Sequence, residues 1–346
     1  MRIVLRMAAI ALAVGIAAAT YSSSAAAGPI ICVRGSDVTV EPPLTCQTFD
    51  NLYDANNNST PAGELRVYGT VTLDRGPLSL VARTLTGFSD AKLDARKIDG
   101  VAIVVRQTAI LNNFTLFTSG CCQNAPGTSI GILLVNPEKA ATLNGVSVIG
   151  GCTAPDRSKC PPGVGFGIGI YATPGAGRLT IYGNTQDSEF SGHWIGVLAW
   201  DPQGRPSVNG AKNLSVKISD VLVGIVDSVS VPAQWFKTKI SCGRPNAIGY
   251  HGINSEHSDL NGLVITDCTV GLQLECVGEA CGGGREFDNL QVGTRDNPVP
   301  IPVRIYLPDG SAVDDYKADL GCGDAWGIST SLNGVPLPES FVVTCP

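Results

Sequence analysis

Residues 141–148 read Ala-Thr-Leu-Asn-Gly-Val-Ser-Val, and a close copy returns at 258–265 as Ser-Asp-Leu-Asn-Gly-Leu-Val-Ile. An earlier copy stands at 109–116 as Ala-Ile-Leu-Asn-Asn-Phe-Thr-Leu, and a fainter one at 286–292 as Glu-Phe-Asp-Asn-Leu-Gln-Val. In each, two short alternating runs flank a Leu-Asn-Gly or Leu-Asn-Asn step, which reads as strand, bend, strand. A unit of this kind cannot bury its apolar face alone, so the copies are expected to stack. Asn112, Asn144 and Asn261 then fall at equivalent bends, where asparagine tolerates left-handed backbone angles and can bond its neighbours in a ladder.

A second signal runs out of phase with the first. A glycine followed by an aliphatic residue recurs as Gly100-Val101, Gly131-Ile132, Gly169-Ile170, Gly196-Val197, Gly224-Ile225, Gly252-Ile253 and Gly271-Leu272. The steps are 31, 38, 27, 28, 28 and 19 residues, most of them the length of one solenoid coil. With abundant glycine and few aromatics, the chain is expected to be all-β with many tight bends.

The Gly-Ile/Val and Leu-Asn-Gly repeats resemble those of the right-handed parallel β-helix proteins, the pectin-lyase-like superfamily, over about residues 95–295. The resemblance reflects coil geometry and singles out no family within the superfamily. It implies a single-stranded solenoid, expected over residues 76–298. Exposed end coils need covering. Cys46, Phe49, Leu52 and Tyr53 have helical spacing, so 28–75 is expected to form an N-terminal cap containing a short amphipathic helix. Pro298, Pro300, Pro302 and Pro308 interrupt the ladder pattern, and Cys322 and Cys345 are placed to close residues 299–346 into a C-terminal cap.

Residues 1–27 have the layout of a secretory signal: Arg2 and Arg6, an apolar run from Met7 to Ala19, then small residues to Ala27. All twelve cysteines follow it, as expected of a disulfide-bonded protein secreted or sent to the periplasm. Cys152 with Cys160 and Cys276 with Cys281 are expected as local staples, and no cysteine spacing suits zinc. Removing 1–27 takes away two arginines and moves the formal charge from −6 to −8. That charge disfavours nucleic acid and anionic membranes. No cofactor, no metal and no membrane span are expected, and the chain is expected to be monomeric.

Candidate chemistry follows from the register. If the glycines align, the residue after each points inward and the next outward. Outward columns then run Leu198, Val226, Asn254, Gln273 and, beside them, Trp200, Ser228, Glu256, Glu275. Successive rungs lie about 4.8 Å apart, so Glu256 and Glu275 are expected to be neighbouring carboxylates and candidate catalytic groups. Mutual repulsion would raise one pKa and supply an acid beside an ionised partner, as glycoside chemistry requires. Asn254, Gln273, Trp200, His251 and His257 are the candidate substrate-binding residues. On parity, however, His251 and His257 fall inward with Ile253, and the reading that they are core or bend residues stands beside the site reading. Trp194, Trp200 and Trp235 either form a sugar-stacking platform or close the groove between coil and loops. Asp227 falls at an inward parity, where an unpaired charge is costly, so it is expected either to face a turn or to mark an error in the register.

The polygalacturonase-like order of Asn-Thr-Asp, Asp-Asp, Gly-His-Gly and Arg-Ile-Lys is absent. Tyr250-His251-Gly252 and Arg304-Ile305-Tyr306 precede the only paired aspartates, Asp314 and Asp315. No catalytic role is carried over. The expectation is an exported protein that binds or acts on an extracellular polysaccharide, as hydrolase, lyase or epimerase. A non-catalytic surface, matrix or adhesion protein and a secreted effector or inhibitor of another protein are the alternatives.

Overall fold

The computed structural model describes residues 28–98, 100–119, 129–135, 141–151, 167–173, 179–182, 188–199, 212–214, 216–227, 234–253, 260, 262–275, 290–293, 297–306, 312–315, 331–332 and 335–336. Among them the fold is all-β, with one short helix, Leu52–Asn57. Apart from the short antiparallel pair Ser331–Leu332 and Val335–Pro336, its strands lie in two long, mostly parallel sheets, an arrangement consistent with a parallel β-helix.

The register resolves each coil into three faces. The first stacks Ala109–Asn112, Ala141–Asn144, Leu179–Tyr182, Lys212–Leu214 and Gln234–Phe236. The second stacks Thr115–Thr118, Ser147–Gly150, Ser188–Ser191, Val216–Ser219, Lys239–Ser241 and Val264–Thr266. The long strand Thr84–Ala95 pairs with Ala109–Asn112 through its first part and with Thr115–Thr118 through its last, joining both faces into one sheet. The third face is the other sheet. It runs from Leu78–Leu80 through Val101–Val105, Ser129–Leu134, Gly167–Ala172, Ile195–Ala199, Val223–Asp227, Ile248–Ile253 and Val270–Glu275 to Ile301–Tyr306. Ala312–Asp315 adds to this last strand antiparallel.

The bend between the first two faces is the Leu-Asn-Gly step. Asn144 donates to the Asn112 side chain at 2.9 Å, and Asn112 faces Thr86 Oγ1 at 3.3 Å, so a side-chain ladder crosses three rungs. The left-handed backbone falls one residue later than expected, at Asn113 (φ +54°), Gly145 (+57°) and Gly262 (+71°). Asn112 and Asn144 end their strands and keep their amides for the ladder. Asn261 lies outside the described residues.

The glycine column aligns as Gly131, Gly169, Gly196, Gly224, Gly249 and Gly271. Gly100 and Gly252 are not in it; Ala102 and Gly249 hold those rungs. Close approach dictates the residue type. A Cβ on Gly196 would sit 2.7 Å from both the Gly224 carbonyl oxygen and the core side chain of Ile218. The residues that follow, Ile132, Ile170, Val197, Ile225, Tyr250 and Leu272, are all completely buried in the core. Aliphatic residues fill the three inner faces along the length of the coil.

The N-terminal segment differs from the expected helical span. Cys46 is bonded to Cys32, and Gln47–Phe49 is a strand lying parallel to Ile30–Arg34. That pairing draws Cys46 and Phe49 out of helical form. The helix begins only after Asn51, whose side chain accepts from the Tyr53 and Asp54 amides at 2.8 and 3.3 Å. Buried Asn56 then donates to Ser79 O and accepts from Val81 N, at 2.8 and 2.9 Å, satisfying backbone at the terminal strand Leu78–Leu80 of the third face. Cys322, Cys345, Cys152, Cys160, Cys276 and Cys281 lie outside the described residues. The described cysteines form two disulfides, Cys32–Cys46 and Cys242–Cys268, as suits an oxidising compartment. No helix among the described residues is long and apolar enough to cross a membrane.

Candidate functional site

The outer surface of the third face changes character along the solenoid. Leu133, Tyr171, Leu198 and Val226 occupy successive rungs of one outward column, with Ile130, Ile168, Ile195 and Val223 beside them. Ile130, Ile168, Leu198 and Val226 are only 4–8 % exposed and Leu133, Tyr171, Ile195 and Val223 are half-buried against them, so this upper stretch is apolar and largely shielded. On the next rungs the column continues as His251, Gln273 and Arg304. A neighbouring column holds Ile253, Glu275 and Tyr306.

Here three of the sequence-predicted residues converge. His251 Nε2 lies 3.1 Å from Glu275 Oε1, and Gln273 Nε2 donates to the same oxygen at 3.0 Å. Gln273 Nε2 is also 3.3 Å from His251 Nε2. Gln273 is buried, while the His251 and Glu275 side chains keep 16 % and 26 % of their surface, which leaves the cluster open to solvent on one side.

The register that makes this cluster differs by three residues from the expected one. Val226 is opposite His251, not Asn254, and Glu275 is opposite Ile253, not Glu256. His251 therefore points outward, and the inward position belongs to Tyr250. Glu256, Asn254, His257 and Trp200 lie outside the described residues. With a histidine in place of a second carboxylate, the electrostatics also reverse. The hydrogen bond from His251 holds the Glu275 carboxyl below the usual glutamate range, against partial burial, which pushes it up.

Two other expected candidates lie inside. Trp194 and Trp235 are buried, so neither offers an open stacking surface. Trp235 Nε1 instead reaches Asp227 Oδ2 at 3.4 Å, and Tyr250 donates to the same oxygen at 2.9 Å. Asp227 thus points inward, not to a turn, and is completely buried among polar partners. His193 is buried at the corner between the second and third faces. Its Nε2 donates to Val148 O at 3.3 Å, while Nδ1 has no hydrogen-bond partner among the described residues. Desolvation, with a smaller contribution from the nearby Arg244 charge, lowers its pKa to about 4. Arg244 is itself buried and bonded to Asp220 at 2.8 Å.

No family model matches the chain, and neither the curated proteins nor the solved structures contain a match to it.

Proposed function

We propose that the chain is an exported, right-handed parallel β-helix of the pectin-lyase-like kind that binds an extracellular polysaccharide on the lower rungs of its third face. The observation that carries this reading is the convergence of His251, Gln273 and Glu275 where the apolar column gives way to polar residues, two of them part-exposed. Clustered donors and acceptors on a rigid sheet suit hydroxyl-rich ligands, whose many weak hydrogen bonds need pre-set partners. Trp200 directly follows Ala199 in the sequence, and Asn254, Glu256 and His257 come soon after Ile253; all four lie outside the described residues. They remain candidate contacts, with Glu256 the candidate second carboxylate.

Action on the glycan, as hydrolase, lyase or epimerase, would use the ionised Glu275 beside His251 as an acid–base pair. A non-catalytic adhesion or matrix role is the second reading. It is favoured by Ile253 standing beside Glu275, which leaves a single carboxylate in the described cluster.

One experiment tests both. The mature chain and its Glu275→Gln, His251→Ala and Glu256→Gln variants are run against a panel of polysaccharides by affinity electrophoresis and product analysis. Retardation by at least one glycan, lost in Glu275→Gln and His251→Ala, is expected. Product release would favour catalysis, and binding without product the second reading. Wild-type retardation by no glycan, or retardation unchanged in all variants, overturns the site.

A further inference from the structure

The three atoms Glu275 Oε1, His251 Nε2 and Gln273 Nε2 form a nearly equilateral triangle with edges of 3.0, 3.1 and 3.3 Å. Protons alone cannot satisfy all three edges. If His251 Nε2 carries a hydrogen, it donates to Glu275 and meets the Gln273 amide donor to donor. If it does not, it meets the Glu275 oxygen acceptor to acceptor. Turning the Gln273 amide by half a rotation presents its oxygen instead and moves the conflict to the Gln273–Glu275 edge. With the Glu275 carboxyl ionised, one edge is left without a hydrogen bond in every arrangement.

A cation at the centre removes the conflict, because three lone pairs then point at one positive charge. The size fits a small ion. Ligands bonded at about 2.1 Å stand about 3.0 Å apart at octahedral angles and about 3.4 Å apart at tetrahedral ones. With the Gln273 amide turned so that its oxygen takes the place of Nε2, the observed edges fall in that interval. A larger, calcium-like ion would need more oxygen ligands at wider spacing. Among the described residues no three of His, Cys, Asp and Glu come together, so a site here needs the Gln273 amide oxygen as its third ligand.

We infer that His251 Nε2, Glu275 Oε1 and the Gln273 side-chain oxygen form a three-point site for a small divalent transition cation such as zinc or manganese. The ligand types suit that class, since imidazole and carboxylate together select first-row divalent ions. The backbone supports the geometry. His251 and Gln273 sit on adjacent paired strands, and Glu275 is two residues beyond Gln273 on the same face. The partial exposure of His251 and Glu275 provides an entry path and leaves the remaining coordination positions to water or ligand hydroxyls. Val226 and Arg304 flank the His251–Gln273 column, and Ile253 and Tyr306 flank Glu275. The inference goes beyond the glycan reading and does not depend on it.

The test needs no glycan. The mature chain, stripped of metal with chelator, is titrated with Zn²⁺ and Mn²⁺ calorimetrically and with Co²⁺ by visible absorption. One equivalent of ion is expected to bind, with micromolar affinity for zinc. His251→Ala and Glu275→Gln should each weaken binding at least tenfold. Gln273→Glu separates the site from a plain hydrogen-bonded cluster. A second carboxylate should tighten binding about tenfold, while lowering the melting temperature of the metal-free protein through repulsion at this spacing. Circular dichroism checks that each variant is folded. No saturable binding up to millimolar ion, stoichiometric binding unchanged in His251→Ala, or binding weakened by Gln273→Glu would each overturn the inference.

Discussion

Two polar clusters lie back to back across one sheet of this molecule. Inside, Asp227, Tyr250 and Trp235 gather with Asp227 and Tyr250 fully sealed from water. Outside, His251, Gln273 and Glu275 gather with two of the three side chains partly wet. Tyr250 and His251 are consecutive residues, so the thickness of one strand separates them. The inner carboxylate is spent on holding the coil together, because a buried group must find partners or cost stability. The outer one has partners and still meets solvent, which is the condition for meeting a ligand.

The division can be broken most severely at Gly224. A Cβ there would lie 2.4 Å from the Gly249 carbonyl oxygen and 2.6 Å from Ile240. Neither atom can retreat without moving its rung, so Gly224→Ala should cost about 4 kcal/mol, above the usual overpacking range, and disturb both clusters. Denaturant unfolding of the variant checks this; a loss below about 1 kcal/mol would mean the ladder tolerates displacement. Next is Asp227→Ala, expected to cost about 3 kcal/mol by removing the buried carboxylate that accepts from the Tyr250 hydroxyl and the Trp235 N–H. Any folded fraction should keep the outer cluster's ligand binding, and loss of binding in folded protein would show that the two clusters are coupled.

Acid should act first on the interior. His193 is neutral when folded, with its pKa depressed to about 4 from 6.5. Between those values the unfolded chain takes up a proton that the folded chain refuses. Stability is therefore unaffected above pH 6.5 and falls by an amount on the order of 2–3 kcal/mol as the pH drops to 4. The lowered carboxyls of Asp94, Asp267 and Glu275 give up their contribution only as the pH falls on below the ordinary carboxylate range. A pH series of denaturation midpoints on the wild type and His193→Gln should show the upper part of this slope flattened in the variant; parallel curves would remove His193 as its source. Asn144→Ala, which cuts one rung of the amide ladder, should cost about 1 kcal/mol. Glu275→Gln should be nearly silent in stability, within about 0.5 kcal/mol. A destabilisation there as large as that of Asp227→Ala would make the outer cluster structural as well.

The same pair of clusters explains what could be read from the sequence. Stacked coils were legible because backbone contact demands glycine at one position and a core aliphatic at the next, and five of the seven marked glycines align. The reading slipped at Ile248–Ile253, which contains both Gly249 and Gly252. Gly252-Ile253 fits the glycine–aliphatic rule, but Gly249-Tyr250 occupies the rung. Tyrosine can be inward there because Asp227 receives its hydroxyl. The aspartate that looked misplaced and the tyrosine that broke the rule thus account for each other, and neither could be resolved from one column alone. The three-residue shift carried His251 outward and Ile253 opposite Glu275. Gln273 and Glu275 were located correctly because Gly271 is in step. The interior positions of Trp194 and Trp235 depend on contacts between faces, which a repeat pattern does not encode.

The Cys242–Cys268 bridge lies at the corner where the second face turns into the third. Its 26-residue span is one complete turn and contains Ile248–Ile253. Solenoids come apart from their ends, each turn being held only by its neighbours. Here fraying from the N-terminal side meets a covalently closed hoop that holds His251, whereas Gln273 lies just beyond Cys268 and outside it; the pair is therefore guarded from one end of the coil only, and reductant should remove that guard.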